Sequence, residues 1–320
     1  MSSADALIRG GCVSSRVGIA GTGRMGTAIG LRLMGLGNQI VVWNRNSGRT
    51  AHLAERGAVV TGSPTELAAE AELVITTLTD TRAIEEVYLG GAGLLAGPVD
   101  GRLFIEMSTV EPATIVSIAA RVREAGATLI DCPVAGSVGP AMNGTLVGYA
   151  GGAESDVARA RPVLDGLCRR VEHVGEVGAG ARVKLAVQLP MHLYWQTLGE
   201  AMALCRPLEL DPSRLVDIII DTPGAPKALA ERRDAIVAVL RGEHQAGTAF
   251  DIDSVRKDLR IMVTEALSLG FDTPMAEVAL ESFDRVAGRG FGGEPAAALT
   301  RHWALGSDSG TVDPGPDDVS

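Results

Sequence analysis

The chain has 320 residues, is 46% apolar and carries a formal charge of -10, with 29 Lys and Arg against 39 Asp and Glu. That length suffices for two domains with their own cores, and the acidic balance disfavours nucleic acid or an anionic membrane, since either rewards a basic surface. Cys12, Cys132, Cys168 and Cys205 form no C-x-x-C pair, and no His/Cys cluster has metal-ligand spacing, so reduced thiols and no metal are expected.

Residues 1–15 are rich in Ser and Gly, lack a signal-peptide core and read as disordered; with no long uncharged apolar run, a soluble cytoplasmic protein is expected. Val17-Gly18-Ile19-Ala20 then reads as a buried parallel strand. Gly21-Thr22-Gly23-Arg24-Met25-Gly26 opens a helix with Met25, Ile29, Leu33 and Leu36 on its apolar face. Gly21 allows the tight turn, Gly23 the approach of a pyrophosphate and Gly26 close packing of helix on strand, with the helix N-terminus aimed at the anion. Gly37 ends the helix, and residues 39–43 supply a second strand. Where an NAD site would place an acid, the chain has Asn44-Arg45-Asn46-Ser47 and then Arg49. Arg45 can face a 2′-phosphate with its planar fork while Asn44, Ser47 and Arg49 add donors, so NADP(H) is the expected cofactor.

Short apolar runs at Val41-Val42, Val59-Val60, Leu73-Val74-Ile75, Phe104-Ile105 and Thr128-Leu129-Ile130 alternate with helical patterns, which predicts an α/β doubly wound parallel sheet of the Rossmann type over residues 16–177. Ser63-Pro64-Thr65-Glu66 is a capping box. After Gly178-Ala179-Gly180 apolar residues recur at three and four, with helix starts at Asp211-Pro212 and Thr273-Pro274. Residues 178–305 therefore read as an all-helical domain, and 306–320 as a disordered acidic tail. The first helix, about Ala181 to Leu204, carries Lys184, Gln188, Met191 and Trp195 on one face, and Pro190 predicts a kink between Ala186 and Pro190.

Four segments in order resemble the β-hydroxyacid dehydrogenase family, which includes 3-hydroxyisobutyrate dehydrogenases and glyoxylate/succinic semialdehyde reductases. They are the glycine turn; Asp131-Cys132-Pro133-Val134-Ala135-Gly136-Ser137 with Gly144-Thr145-Leu146; Gly178-Ala179-Gly180 leading to Lys184; and Lys257-Asp258-Leu259. The resemblance implies Lys184 as the catalytic lysine and Ala135, Gly136 and Ser137 as the substrate segment. It also implies Lys257 as a cofactor contact, Leu78, Thr79 and Thr109 as the nicotinamide-side wall, and Phe250 and Asp258 as active-site positions. A homodimer and no metal are further implied.

Hydride transfer to a carbonyl carbon builds negative charge on oxygen, which a positioned ammonium can stabilise and protonate. Lys184 suits both tasks. Three departures bear on the substrate: Ala135 replaces a serine, Ser137 a glycine, and Gln188 the asparagine that follows the lysine. Trp195, with His192 and Tyr194 nearby, either lines an enlarged pocket or packs in the core. The expected activity is NADPH-dependent reduction of a small aldehyde or ketone, carboxylated in the main, reversible as a hydroxyacid dehydrogenase. An imine reductase is the alternative, disfavoured by Lys184 and Gly144-Thr145-Leu146, and a non-catalytic NADPH-binding protein is the third.

Overall fold

In the computed structural model, which describes residues 16–243 and 250–304, the first apolar run becomes β1 (Arg16–Ala20) and the glycine turn leads into α1 (Arg24–Gly35). There follow β2 (Gln39–Trp43), α2 (Ala51–Ala54), β3 (Val59–Val60), α3 (Pro64–Glu70), β4 (Leu73–Thr76), α4 (Thr81–Leu89), β5 (Leu103–Glu106), α5 (Pro112–Glu124) and β6 (Thr128–Asp131). Then come β7 (Val134–Ala135), α6 (Val138–Asn143), β8 (Leu146–Gly151), α7 (Glu154–Leu167) and β9 (Cys168–Gly175). The expectations of disorder at residues 1–15 and 306–320, and the state of Cys12, fall outside the described residues; Cys132, Cys168 and Cys205 are free thiols.

The sheet runs β3-β2-β1-β4-β5-β6-β8-β7, with β9 beside β8. From β3 to β6 every pairing is parallel, as expected for a doubly wound unit. β8 is antiparallel to β6 and β7, so the whole sheet is mixed. Side chains alternate between its faces, as the period of two requires. Val17, Ile19, Ile75 and Ile105 join Ile29 and Leu33 of α1 and Val157 and Leu164 of α7 in one core. Val41, Val74 and Phe104 point the other way, to Leu67 of α3, Ile84 of α4 and Ile118 of α5. Leu36, expected on the apolar face of α1, is 37% exposed because the helix has already ended at Gly35.

Half of the capping box closes as read, since Ser63 Oγ accepts from Glu66 N at 3.2 Å, while the Glu66 carboxylate reaches one residue further back and accepts from Gly62 N at 2.8 Å. β8 was not legible in the sequence because Gly148 and Gly151 interrupt it. Packing demands Gly151, where a Cβ would lie 2.5 Å from Asp131 Oδ1 and 2.7 Å from Glu176 O, and is tight at Gly148, where one would lie 3.0 Å from Cys132 Sγ.

Contacts divide the chain into two compact units, residues 1–186 and 187–320. The division falls inside α8 (Ala179–Leu204), past the Gly178-Ala179-Gly180 turn where the sequence changes texture. α8 continues unbroken through Pro190. The second unit adds α9 (Pro212–Ile220), α10 (Lys227–Glu231), α11 (Arg233–Leu240), α12 (Ile252–Ser268), α13 (Pro274–Val286) and α14 (Ala298–Ala304). Among its described residues the only β pairing is one isolated bridge, Asp251 with Pro295. Trp195, Leu198, Val216, Leu259, Phe283 and Leu299 are buried in its core.

Candidate active site

At the carboxyl end of β1 the three glycines are explained differently. Gly21 has φ +97°, and a Cβ there would sit 2.3 Å from Thr77 O; a Cβ at Gly26 would sit 1.9 Å from Gly21 O. Those two are required by the fold itself. Gly23 has φ -70°, open to any residue, and a Cβ there would meet nothing within 4 Å. Neither conformation nor protein packing accounts for it, whereas the backbone approach of a pyrophosphate does. Gly23 also caps α1 without a side chain, which leaves the first amides of that helix for an anion. The residues present thus fit a dinucleotide.

Thr22 N donates to Asn44 Oδ1 at 3.0 Å, Asn44 Nδ2 donates to Asn46 O at 2.9 Å, and Thr22 Oγ1 donates to Arg49 O at 3.1 Å. Asn44 therefore braces the glycine turn against the end of β2. Asn46 Oδ1 accepts from Gly48 N at 3.1 Å. Arg45, Ser47 and Arg49 are exposed around this turn, as is Arg24, while Met25 packs partly against the core. Arg45 lies 3.6 Å from Glu86 in an exposed ion pair.

At the ends of β4 and β5, Leu78 N donates to Ser108 Oγ at 2.7 Å, and Ser108 N donates to Glu106 Oε1 at 2.8 Å. Thr76 Oγ1 donates to Glu106 Oε2 at 2.6 Å and pairs with Tyr88 OH at 3.1 Å. Burial pushes the Glu106 carboxyl up to about 7, against the hydrogen bonds from Ser108 and Thr76. Glu106 underlies the wall that Leu78 and Thr109 were expected to form; Thr79 is exposed and donates to Asp80 at 2.8 Å. Sequence reading missed Glu106, although an acid closing the apolar run Leu103-Phe104-Ile105 was a signal.

Asp131, at the end of β6, is fully buried and accepts from Gly178 N and Ala181 N, each at 2.7 Å. It caps the start of α8 from a distant strand. Burial raises its carboxyl to about 6 while those backbone N–H groups oppose the rise. One turn into the helix, Lys184 is 8% exposed, and its Nζ donates to Val134 O at 2.8 Å. The segment expected to bind substrate thus holds both the helix end and the ammonium. Ala135 lies in β7; Gly136 has φ +127°, which favours glycine; Ser137 starts α6 without using its hydroxyl as a cap.

In the second unit, Asp258 is 1% exposed, with Gln188 Nε2 3.3 Å away, His192 Nε2 3.5 Å away and Lys257 Nζ 2.9 Å away. Phe250 stacks on His192 with centroids 5.5 Å apart. Gln188, Phe250, Lys257 and Asp258 therefore come together as one group. Trp195, at 1% exposure, is buried in this unit. Among the described residues no three His, Cys, Asp or Glu side chains are arranged to hold a metal, and no helix is long and apolar enough to cross a membrane.

A mostly parallel sheet whose glycine turn feeds α1, followed by a helical unit, defines a nicotinamide-dinucleotide oxidoreductase class. Residues 16–175 match the NAD-binding domain of 6-phosphogluconate dehydrogenase, and residues 178–303 match the NAD-binding region of NADP-dependent 3-hydroxyisobutyrate dehydrogenase. The chain is 31% identical over 269 residues to 3-hydroxyisobutyrate dehydrogenase of Pseudomonas aeruginosa, covering 83% of this chain and 90% of the relative. It is 29% identical over 284 residues to the chloroplastic glyoxylate/succinic semialdehyde reductase 2 of Arabidopsis thaliana, covering 88% of this chain and 78% of the relative. The solved Mycobacterium tuberculosis 3-hydroxyisobutyrate dehydrogenase with L-serine superposes with a TM-score of 0.79 at 25% identity, covering 92% and 99% of the two chains. The protein belongs to the β-hydroxyacid dehydrogenase family, NAD(P)-dependent oxidoreductases that act on CH–OH groups.

Proposed function

We propose that the protein interconverts a small carboxylated carbonyl compound and its hydroxyacid, with NADP(H) as the cofactor and Lys184 as the proton donor. The observation that carries this is the Lys184 ammonium, buried and tied to Val134 O at 2.8 Å, beside Ala135, Gly136 and Ser137. The bond to a carbonyl fixes the position of Nζ, and an ammonium is a donor of the kind a developing oxyanion requires. When bound, the nicotinamide supplies or accepts the hydride. Lys184 stabilises the charge growing on the substrate oxygen and transfers the proton there. The Ser137 hydroxyl and the backbone at Gly136 receive the substrate carboxylate, and Gln188 orients the carbon skeleton. Leu78, Thr79 and Thr109 flank the nicotinamide, and Lys257 contacts the cofactor. Arg45, with Ser47 and Arg49, favours the 2′-phosphate of NADPH, a preference supported by the match to an NADP-dependent enzyme.

Lys184→Ala is expected to lower kcat by roughly 10² to 10⁴ and to leave NADPH affinity unchanged, because its contribution is made at the reacting oxygen. A variant within threefold of wild type, or one that no longer binds NADPH, would move the catalytic role elsewhere. A homodimer accounts for exposed Leu204, Leu208, Phe271, Met275 and Val278 in the helical unit. Light scattering should then give twice the chain mass.

A further inference from the structure

Glu106 closes β5 at the carboxyl edge of the sheet, where parallel strands of this arrangement open onto their ligands. The order β3-β2-β1-β4-β5-β6 reverses between β1 and β4. With the pyrophosphate at the glycine turn after β1 and the adenosine ribose at Asn44 to Ser47 after β2, the nicotinamide half falls over the ends of β4 and β5. Glu106 is 1% exposed there, in register with Thr76 on β4 and Asp131 on β6. Its Oε1 accepts from Ser108 N at 2.8 Å and its Oε2 from Thr76 Oγ1 at 2.6 Å, and Ser108 Oγ accepts from Leu78 N at 2.7 Å. The carboxyl is thus fixed directly behind the main chain of both strand ends.

An amide could fill the same place. Its oxygen would take Ser108 N, and its nitrogen would meet the Thr76 hydroxyl, which accepts as well as donates. What glutamine lacks is a charge, and burying an acid is costly unless the charge has a use. The ionisable groups facing Glu106 are the Tyr88 phenol of α4, which burial keeps neutral, and the Asp131 carboxyl. Burial carries Glu106 to about 7, and Asp131 adds to the rise. The carboxyl therefore changes charge in the neutral range. NADP+ and NADPH share their phosphates, riboses and adenine; they differ at the nicotinamide ring, which carries a positive charge only when oxidised.

We propose that Glu106 sets the balance between oxidised and reduced cofactor: its carboxylate favours the cationic ring of NADP+, and its protonation gives that preference up to neutral NADPH. This rests on the reading of the strand ends as an NADP(H) site. Glu106 then acts on the cofactor through space, and touches neither substrate nor the proton that Lys184 delivers.

The test titrates the full chain with NADP+ and with NADPH, without substrate, from about pH 6 to 8.5. Taking the ratio of the two Kd values cancels the titration of the phosphates that both cofactors carry. In wild type, Kd(NADP+)/Kd(NADPH) is expected to fall roughly three- to tenfold as pH rises, the scale of one unit-charge attraction moderated by the protein interior. Near pH 7, NADP+ binding should release more protons than NADPH binding, which calorimetry in buffers of different ionisation heat reads directly. Glu106→Gln should hold the ratio flat and abolish the difference in proton release. Asp131→Asn removes the neighbouring acid and should keep the fall, which tests the assignment even if Glu106→Gln does not fold. A flat wild-type ratio, a fall that survives in Glu106→Gln or one lost in Asp131→Asn overturns the inference. If both cofactors bind with a ratio independent of pH, the inference alone fails; if neither binds, the NADP(H) reading fails with it.

Discussion

Gly23 and Gly26 share a motif but not a reason. Gly26→Ala drives a methyl into Gly21 O at 1.9 Å and should lower thermal stability even without cofactor. Gly23→Ala adds a methyl into open space, so the apoprotein should melt within a degree or two of wild type while NADPH affinity falls at least about tenfold. Apo-protein melting and cofactor titration of the pair check this. If Gly23→Ala binds normally, the pyrophosphate lies elsewhere. Arg45 is 76% exposed with a weakly held acidic neighbour, so its side chain is available to a phosphate. Arg45→Ala should weaken NADPH by about 1.5 to 3 kcal/mol and leave NADH almost unaffected; equal losses would remove the 2′-phosphate role. The Asn44 amide was harder to read. Its side chain suggested a phosphate donor, but its bonds to Thr22 N and Asn46 O are made across a turn whose geometry a sequence does not display.

At the scale of elements, features whose partners are close in sequence were legible. The Ser63 to Glu66 box, the strands from Val17 to Ile130 and the first helix of the second domain all follow from local period and capping chemistry. What sequence hid were the bonds that join distant segments. Asp131 resembled the opening of a substrate motif, yet its acceptors serve Gly178 and Ala181, 47 and 50 residues on. Asp131→Ala should destabilise the first unit by about 1 to 3 kcal/mol per buried N–H left without a partner. Asp131→Asn keeps one acceptor oxygen and should lose roughly half as much. Denaturant unfolding of both variants measures it, and an Asp131→Ala protein as stable as wild type would show that α8 needs no cap from the sheet.

For the whole molecule, Glu106 and Asp131 are two buried acids whose carboxyls lie above their ordinary values of 4.5 and 3.8, at about 7 and about 6. Burial is the main cause for both. The native state therefore keeps protons that the unfolded chain has already released. Their stabilising contribution is complete below the ordinary values and is lost as pH rises through the folded ones. Tm should decline between about pH 5 and 7 on this account. Glu106→Gln, which keeps an acceptor for Ser108 N and cannot ionise, should flatten that decline. Parallel wild-type and variant curves would mean that Glu106 titrates as it does in the unfolded chain.

The bond from Lys184 Nζ to Val134 O ends on main chain rather than on a side chain. Randomising residue 134 would therefore leave the anchor in place, and any library aimed at the lysine through that position would be silent on it. Transplanting the Cys132 to Ser137 loop from a relative carries the opposite hazard. The graft would import a new path for the peptide carrying that carbonyl, and with it a new resting place for the ammonium. Exchanges of substrate specificity in this protein are thus safer residue by residue, at Ala135 and Ser137, than loop by loop.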